Sequence, residues 1–169
     1  MKKIICVLFI FTIIMLGRAN NKEVVLIPKE SIRFRIIANS NNALDQSLKS
    51  EIKNKVQTQV ISKLSTESYK STEDNIKKSI SIIDEVLKDY EIDYNISYGQ
   101  NYFPKKTYKG VTYPEGDYQS LVITIGEGLG DNWWCVLFPP LCLLEAEENN
   151  YEDVQYQLYV NKILDKFSY

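Results

Sequence analysis

Two kinds of side chain in this sequence could do chemistry: a pair of cysteines and a set of loop carboxylates. Cys135 and Cys142 are separated by six residues, which is not the C-x-x-C spacing of a redox enzyme. They form either a disulfide, which would contribute roughly 2.5 kcal/mol, or two buried free thiols. The disulfide requires the chain to reverse around Leu137 to Pro140. A tight reversal would need a cis bond before Pro139, and a wider loop would not.

Four acidic residues flank a predicted strand from Tyr118 to Ile125. Glu115 and Asp117 precede its apolar part, and Glu127 and Asp131 follow it. Glycosidases act through two carboxylates at a defined separation, so one hypothesis is a secreted protein that acts on the cell wall through these loop carboxylates. Solvated loop acids are the simpler interpretation.

The sequence contains no histidine. This excludes Ser-His-Asp and Cys-His catalysis in their usual form and His-ligated zinc. The glycines at 126, 128 and 130 are not a phosphate loop, because no helix and no Lys-Ser/Thr pair follows them. We interpret them as a turn that brings the backbone close to another segment. We therefore predict no enzyme activity, no catalytic residue, no metal, no cofactor and no small-molecule substrate.

An apolar run from Trp133 to Leu144 carries no charge and is shorter than the roughly 20 residues that span a bilayer. Its adjacent prolines exclude a continuous helix. Either both faces of the run are buried, or one face is left for a protein partner, the cell wall or a membrane surface. Neighbouring side chains of an extended segment point to opposite faces, so Trp133 or Trp134 is a candidate anchor. The predicted partner-contact residues are Asn132, Trp133, Trp134, Phe138, Pro139 and Pro140.

The N-terminus has the layout of a secretory signal peptide over residues 1–19. Lys2 and Lys3 precede an uncharged run, and small residues flank Arg18 at a cleavage site. The alternative is an uncleaved N-terminal anchor. Cleavage after Ala19 would move the net charge from −2 to −5. An acidic chain does not favour nucleic acid, and without a polybasic patch we expect at most peripheral membrane contact.

The rest of the chain predicts a leader over 20–30 and a single domain over 31–169. Alternating Ile32, Phe34 and Ile36 indicate a strand. Apolar residues every four positions predict a helix from about Ala43 to Leu64, with Asn42 as its N-cap.

A second helix is predicted from a cap at Ser71, paired with Asp74, to about Lys88. Residues 91–125 are strand-like and rich in tyrosine, and a further helix begins near Tyr151. We predict an α+β fold: a mainly antiparallel sheet packed with two amphipathic helices and a C-terminal helix.

Three stretches resemble the stage II sporulation protein R family. They are residues 32–40 with Asp45-Gln46 and Leu48-Lys49, residues 110–118 with 121–128, and above all residues 130–142, where Trp-Trp-Cys is followed by Pro-Pro-Leu-Cys. The similarity covers most of the chain from 31 to about 143.

The resemblance implies a signalling protein of endospore-forming bacteria. Such a protein is exported from the forespore into the space between the two sporulating cells. There it triggers a membrane-embedded aspartic-type protease, which removes the pro-sequence of sigma-E in the mother cell. The resemblance implies no catalytic residue in this chain, because the chemistry belongs to the protease. The alternative function is a secreted protein that acts on or binds the cell wall.

Overall fold

The computed structural model describes residues 25–142 and 153–167. The predicted signal peptide and the start of the leader lie outside these ranges. The described elements, in order, are β1 (Val25–Leu26), β2 (Ile32–Ile37), α1 (Ala43–Gln59), a 3-10 turn (Ile61–Lys63), α2 (Tyr69–Lys88), β3 (Tyr94–Phe103), β4 (Lys106–Tyr108), β5 (Val111–Tyr113), β6 (Gly116–Ile125), β7 (Asn132–Phe138) and α3 (Asp153–Phe167). None of the described helices is long and apolar enough to cross a membrane.

The strands form two sheets. The larger has the order β3-β6-β2-β7, and the smaller has the order β1-β5-β4. The β3/β6, β2/β7 and β4/β5 pairs are antiparallel, whereas β2/β6 and β1/β5 are parallel. The predicted α+β fold with a mainly antiparallel sheet is therefore confirmed, and β7 is an edge strand of the larger sheet.

The first core lies between the larger sheet and helices α1 and α2. Ile32, Phe34 and Ile36 of β2 are fully buried on this face. The stripes predicted for the helices meet them, with Ile52 of α1 and Ile83 of α2 fully buried in the same cluster. The alternating apolar residues of β2 and the apolar residues at every fourth position of the helices thus pack against each other in one core.

A second core lies on the opposite face of the larger sheet. It is closed by the smaller sheet and by α3, which contributes Tyr156 and Val160. Val25 and Ile27 belong to this core and are 6% and 1% exposed. The last residues of the predicted leader are therefore part of the fold, because their apolar side chains are buried here.

The two helix starts differ in how well the sequence predicted them. Asn42 caps α1 as predicted, and its side chain accepts a hydrogen bond from the Asp45 N–H. The cap predicted at Ser71 is wrong. Ser68 caps α2 instead, because Ser68 and Ser71 form a reciprocal capping box.

Candidate functional site

The adjacent tryptophans of β7 point to opposite faces of the sheet. Trp133 lies on the helix side, where its ring is 5.8 Å from the Phe34 ring and 5.3 Å from the Lys53 ammonium, and it is partly exposed. Trp134 faces the second core and is only 8% exposed. Its ring is 5.4 Å from that of Phe103 and 5.3 Å from that of Tyr113. Trp133 is therefore the tryptophan that a partner can reach.

A polar network centred on Asp45 holds the end of the sheet beside Trp133. The Asp45 carboxylate accepts hydrogen bonds from Ser40 Oγ at 2.6 Å, Asn39 Nδ2 at 2.9 Å and Asn42 Nδ2 at 3.0 Å. The bonds from Ser40 and then Asn39 are the main causes that lower the pKa of Asp45, because they stabilise its charged form. The loop that follows β2 is thus locked onto the first turn of α1.

The same loop is bonded to the segment that precedes β7. Asn39 Oδ1 accepts from the Glu127 N–H at 3.1 Å, and Asn41 Oδ1 accepts from the Asp131 N–H at 2.6 Å. Lys49 Nζ donates to the Asp131 carbonyl at 2.9 Å. These hydrogen bonds therefore fix the position at which β7 starts, with Asn132 and Trp133 as its first residues.

Two glycines permit this close approach. A Cβ at Gly126, whose φ is 54°, would overlap the Asn39 side chain. A Cβ at Gly130 would overlap the Ser40 carbonyl. The turn that the sequence predicted for this segment thus packs against the loop after β2.

Arg33 lies behind Trp134 with no solvent exposure. Its guanidinium carbon is 3.5 Å from the Tyr118 ring centroid and 5.0 Å from that of Trp134. One nitrogen donates to the Pro114 carbonyl at 3.1 Å, while Nε and Nη1 have no hydrogen-bond partner among the described residues. Burial lowers the pKa of Arg33 to about 10. It stays charged at neutral pH, so a positive charge is fixed behind the ring.

Arg35 extends the positive charge along the same face of β2. It donates to the Tyr102 carbonyl at 2.6 Å, and its guanidinium carbon is 3.8 Å from the Phe103 ring centroid. Neither Arg33 nor Arg35 forms an ion pair with any residue in the described ranges. This face of the sheet therefore carries two arginines without a described counter-charge.

The end of β7 contains a disulfide between Cys135 and Cys142, whose Cα atoms are 5.1 Å apart. The chain reverses through a cis Phe138–Pro139 bond, and the Leu141 N–H donates to the Val136 carbonyl at 3.1 Å. Of the alternatives that the sequence left open, the structure contains the disulfide and the cis bond before Pro139.

A cleft of about 220 Å³ lies where β7 meets the β4–β5 hairpin. Lys106 lies on its rim, with its ammonium 5.1 Å from the Trp134 ring centroid. The lining residues are Lys106, Tyr108, Tyr113, Trp133 and Trp134. The Lys106 ammonium at the rim can pair with a carboxylate or another anionic group of a ligand.

Comparison with known proteins identifies the family. A family model for stage II sporulation protein R matches residues 28–148, which is more than half of the chain. The chain belongs to the stage II sporulation protein R family. The stage II sporulation protein R of Bacillus subtilis (strain 168) is 34% identical over 136 residues, which are 76% of this chain and 61% of that protein. The chain thus spans less than two thirds of this relative's length. No solved structure matches.

Membership of the stage II sporulation protein R family supports a role in sporulation for this chain. The structure places the motifs that carried the resemblance side by side. Residues 32–40 form β2 and its loop, residues 116–125 form β6, and residues 132–138 form β7. The three strands are neighbours in one sheet. The contact between them joins distant parts of the sequence, since Arg33 and the Pro114 carbonyl that it binds are 81 positions apart.

The four loop carboxylates of the enzyme hypothesis do not converge. All four are exposed. Glu115 and Asp117 lie at the start of β6, and Glu127 and Asp131 lie beyond its end. Ten residues of strand span roughly 30 Å, whereas glycosidase carboxylates lie about 5–10 Å apart. Acids from opposite ends of β6 therefore cannot act as one pair. The described residues also contain no group of three or more metal-ligating side chains.

The six predicted partner-contact residues divide by burial. Trp134, Phe138 and Pro139 lie in the interior, so they shape the site from behind. Asn132 is exposed, and Trp133 and Pro140 are partly exposed. Sequence reasoning missed Asn39, Asp45 and Lys49 as parts of the site. The signals for them were the capping pattern of Asn42 and Asp45 and the place of all three residues in the first stretch that resembles the family.

Proposed function

We propose that this chain is a secreted sporulation signal that activates a membrane-embedded aspartic-type protease. The protease then removes the pro-sequence of sigma-E in the mother cell. The observation that carries the proposal is the family match over residues 28–148. It includes β2, β6 and β7 and the loops that the Asp45 network joins.

The proposed contact surface is the end of the larger sheet, at Asn132 and Trp133. Tryptophan is enriched among the few residues that carry interface energy. The Asp45 network and the Lys49–Asp131 hydrogen bond hold this surface in place before any partner arrives. A preordered surface loses less conformational entropy on binding. Binding would activate the protease to the extent that this surface fits its active form better than its inactive form.

Export to the space between forespore and mother cell is part of the proposal. The signal-peptide layout of residues 1–19 supports it. So does the disulfide between Cys135 and Cys142, because disulfides form and persist outside reducing compartments. The partner is a protein, with at most peripheral contact to the membrane.

The test is reconstitution in a non-sporulating host. The chain, with its own N-terminal segment, is produced together with the membrane protease and pro-sigma-E, and processing is followed on a gel. Trp133→Ala should reduce processing at least tenfold. The matched control is Ile82→Ala on α2, which removes another exposed apolar side chain, 50% exposed, far along the chain from the proposed surface.

Two results would count against the proposal. If a folded, exported wild-type chain gives no processing, the protease-activating function is wrong, and cosedimentation with peptidoglycan becomes the next measurement. If Trp133→Ala and Ile82→Ala process pro-sigma-E equally well, the function stands and the contact surface lies elsewhere.

A further inference from the structure

The outer edge of β7 has no strand partner among the described residues over part of its length. β7 pairs with β2 on its inner side and is the last strand of its sheet. Its sequence contains no charged residue and no proline, although these are the common devices that keep an edge from pairing with another chain.

Among the described residues, the chain's own return covers the far end of this edge. Leu141 donates to the Val136 carbonyl, and Cys142 lies beside Cys135. Since β2 occupies the inner side, the Val136 carbonyl points to the outer side. Backbone groups alternate along a strand, so those of Trp134 and Asn132 also point outward. No described strand pairs with them.

The cleft beside this edge is flanked by a second open edge. Its far wall is formed by Lys106 and Tyr108 of β4, which is the last strand of the smaller sheet. An extended peptide segment can pair with an exposed strand edge as an additional strand.

Among the described residues, the charged side chains that line the cleft or lie next to Trp134 on the sheet are positive. Lys106 lies on its rim, the Arg33 guanidinium carbon is 5.0 Å from the Trp134 ring centroid, and Arg35 lies opposite Trp134 on β2. None of the three cations forms an ion pair with a residue in the described ranges. The complementary ligand is therefore extended and carries a carboxylate.

We propose that the outer edge of β7 at residues 132–134 binds an extended acidic segment of a partner protein, which pairs as an additional strand and places a carboxylate against Lys106. The proposal deepens the proposed function and rests on it for one point alone: the segment would then belong to the part of the protease that faces the signal.

The first test uses a defined probe and does not involve the protease. A ten-residue peptide of alternating valine and glutamate is titrated into the folded chain, with a valine-lysine peptide as the control. The glutamate peptide should bind at least tenfold more tightly. Asn132→Pro, which removes one outward N–H at the first residue of the strand, should weaken its binding at least tenfold. Asn132→Ala, which keeps that N–H, should weaken binding much less than Asn132→Pro does.

A second pair of variants separates charge from folding. Lys106→Glu should weaken the glutamate peptide at least tenfold and favour the lysine peptide, whereas Lys106→Arg should bind as the wild type does. Lys106 is exposed on β4, so this pair still decides the question if Asn132→Pro does not fold. The same four variants are then compared in the processing assay.

The outcomes distinguish the two proposals. Equal binding of the glutamate peptide by all four variants overturns the edge proposal, even where the wild type activates the protease. Edge-dependent peptide binding without any processing by the wild type supports the edge and overturns the activating function. A wild-type dimer that Asn132→Pro converts to a monomer shows that a second copy fills the edge, which overturns the proposed acidic partner.

Discussion

Trp134→Ala should destabilise the fold much more than Trp133→Ala, although the two residues are neighbours. Trp134 is 8% exposed, and a buried tryptophan contributes up to about 250 Å² of contact surface. At about 25 cal/mol per Å², complete burial corresponds to about 6 kcal/mol as an upper bound. Measured Trp→Ala changes in cores cost about 3–5 kcal/mol. We therefore expect the free energy of unfolding to fall by about 4 kcal/mol.

Trp133→Ala should cost about half as much, roughly 2 kcal/mol. Among the described residues its ring makes one aromatic contact, with Phe34, and part of it faces solvent. Trp134 has two aromatic contacts, and its ring also lies 5.0 Å from the guanidinium carbon of Arg33. Loss of the Trp134 ring would leave that buried cation beside a cavity, which adds to the cost.

Urea unfolding followed by far-UV circular dichroism measures both variants without relying on tryptophan fluorescence. At about 2 kcal/mol per molar urea, Trp134→Ala should lower the midpoint by about 2 M and Trp133→Ala by about 1 M. A Trp134→Ala cost below about 1 kcal/mol, or equal costs for the two variants, would refute the assignment of one ring to the core and the other to the surface.

Three other perturbations follow from the same contacts. Reduction of the Cys135–Cys142 disulfide should lower the free energy of unfolding by about 2–3 kcal/mol, which urea unfolding with and without reductant measures. The pKa of Asp45 is lowered on folding, so ionised Asp45 stabilises the fold above about pH 4, the usual unfolded value. This stabilisation is lost as pH falls through the lower folded pKa. Asp45→Asn should therefore reduce the fall of the free energy of unfolding with decreasing pH, which urea unfolding at several pH values measures. Gly130→Ala should destabilise by about 1–3 kcal/mol, because its Cβ would overlap the Ser40 carbonyl, and thermal unfolding measures the loss.

Local patterns in the sequence predicted the layer formed by β2, α1 and α2. The alternation of Ile32, Phe34 and Ile36 and the four-residue repeats of the helices each specify one apolar face. The glycine-rich segment was also predicted as a close approach, and Gly130 lies against Ser40. These features depend on residues that are near one another in the sequence or on one face of one element.

Strand neighbours could not be predicted in this way. β2 and β6 are parallel partners, yet alternation says only which face a residue occupies and not which strand lies beside it. Arg33 and Arg35 alternate with apolar residues, a pattern typical of a solvated face. The smaller sheet and α3 cover that face instead.

The site was predicted only in part, because alternation shows which residues share a face but not which strands pair. Alternation indicated that one tryptophan of the pair would face out, but it could not choose between them, because a shift of one residue exchanges the two faces. The choice depends on pairing, since Trp133 lies opposite Ile36 and Trp134 lies opposite Arg35. The hydrogen bonds from Asn39 and Lys49 to the segment before β7 depend on that pairing as well.

The position of β7 explains how an edge strand can remain open and still be ordered. Cys135 and Leu137 are buried in the first core, and Trp134 and Val136 are buried in the second. Side-chain burial on both faces thus holds the strand, so its outer hydrogen bonds are not needed for its order. An extended segment that pairs there meets a strand already in its bound conformation, which lowers the entropic cost of association. Variants that weaken either core should therefore weaken partner binding, even where they leave the residues of the edge unchanged.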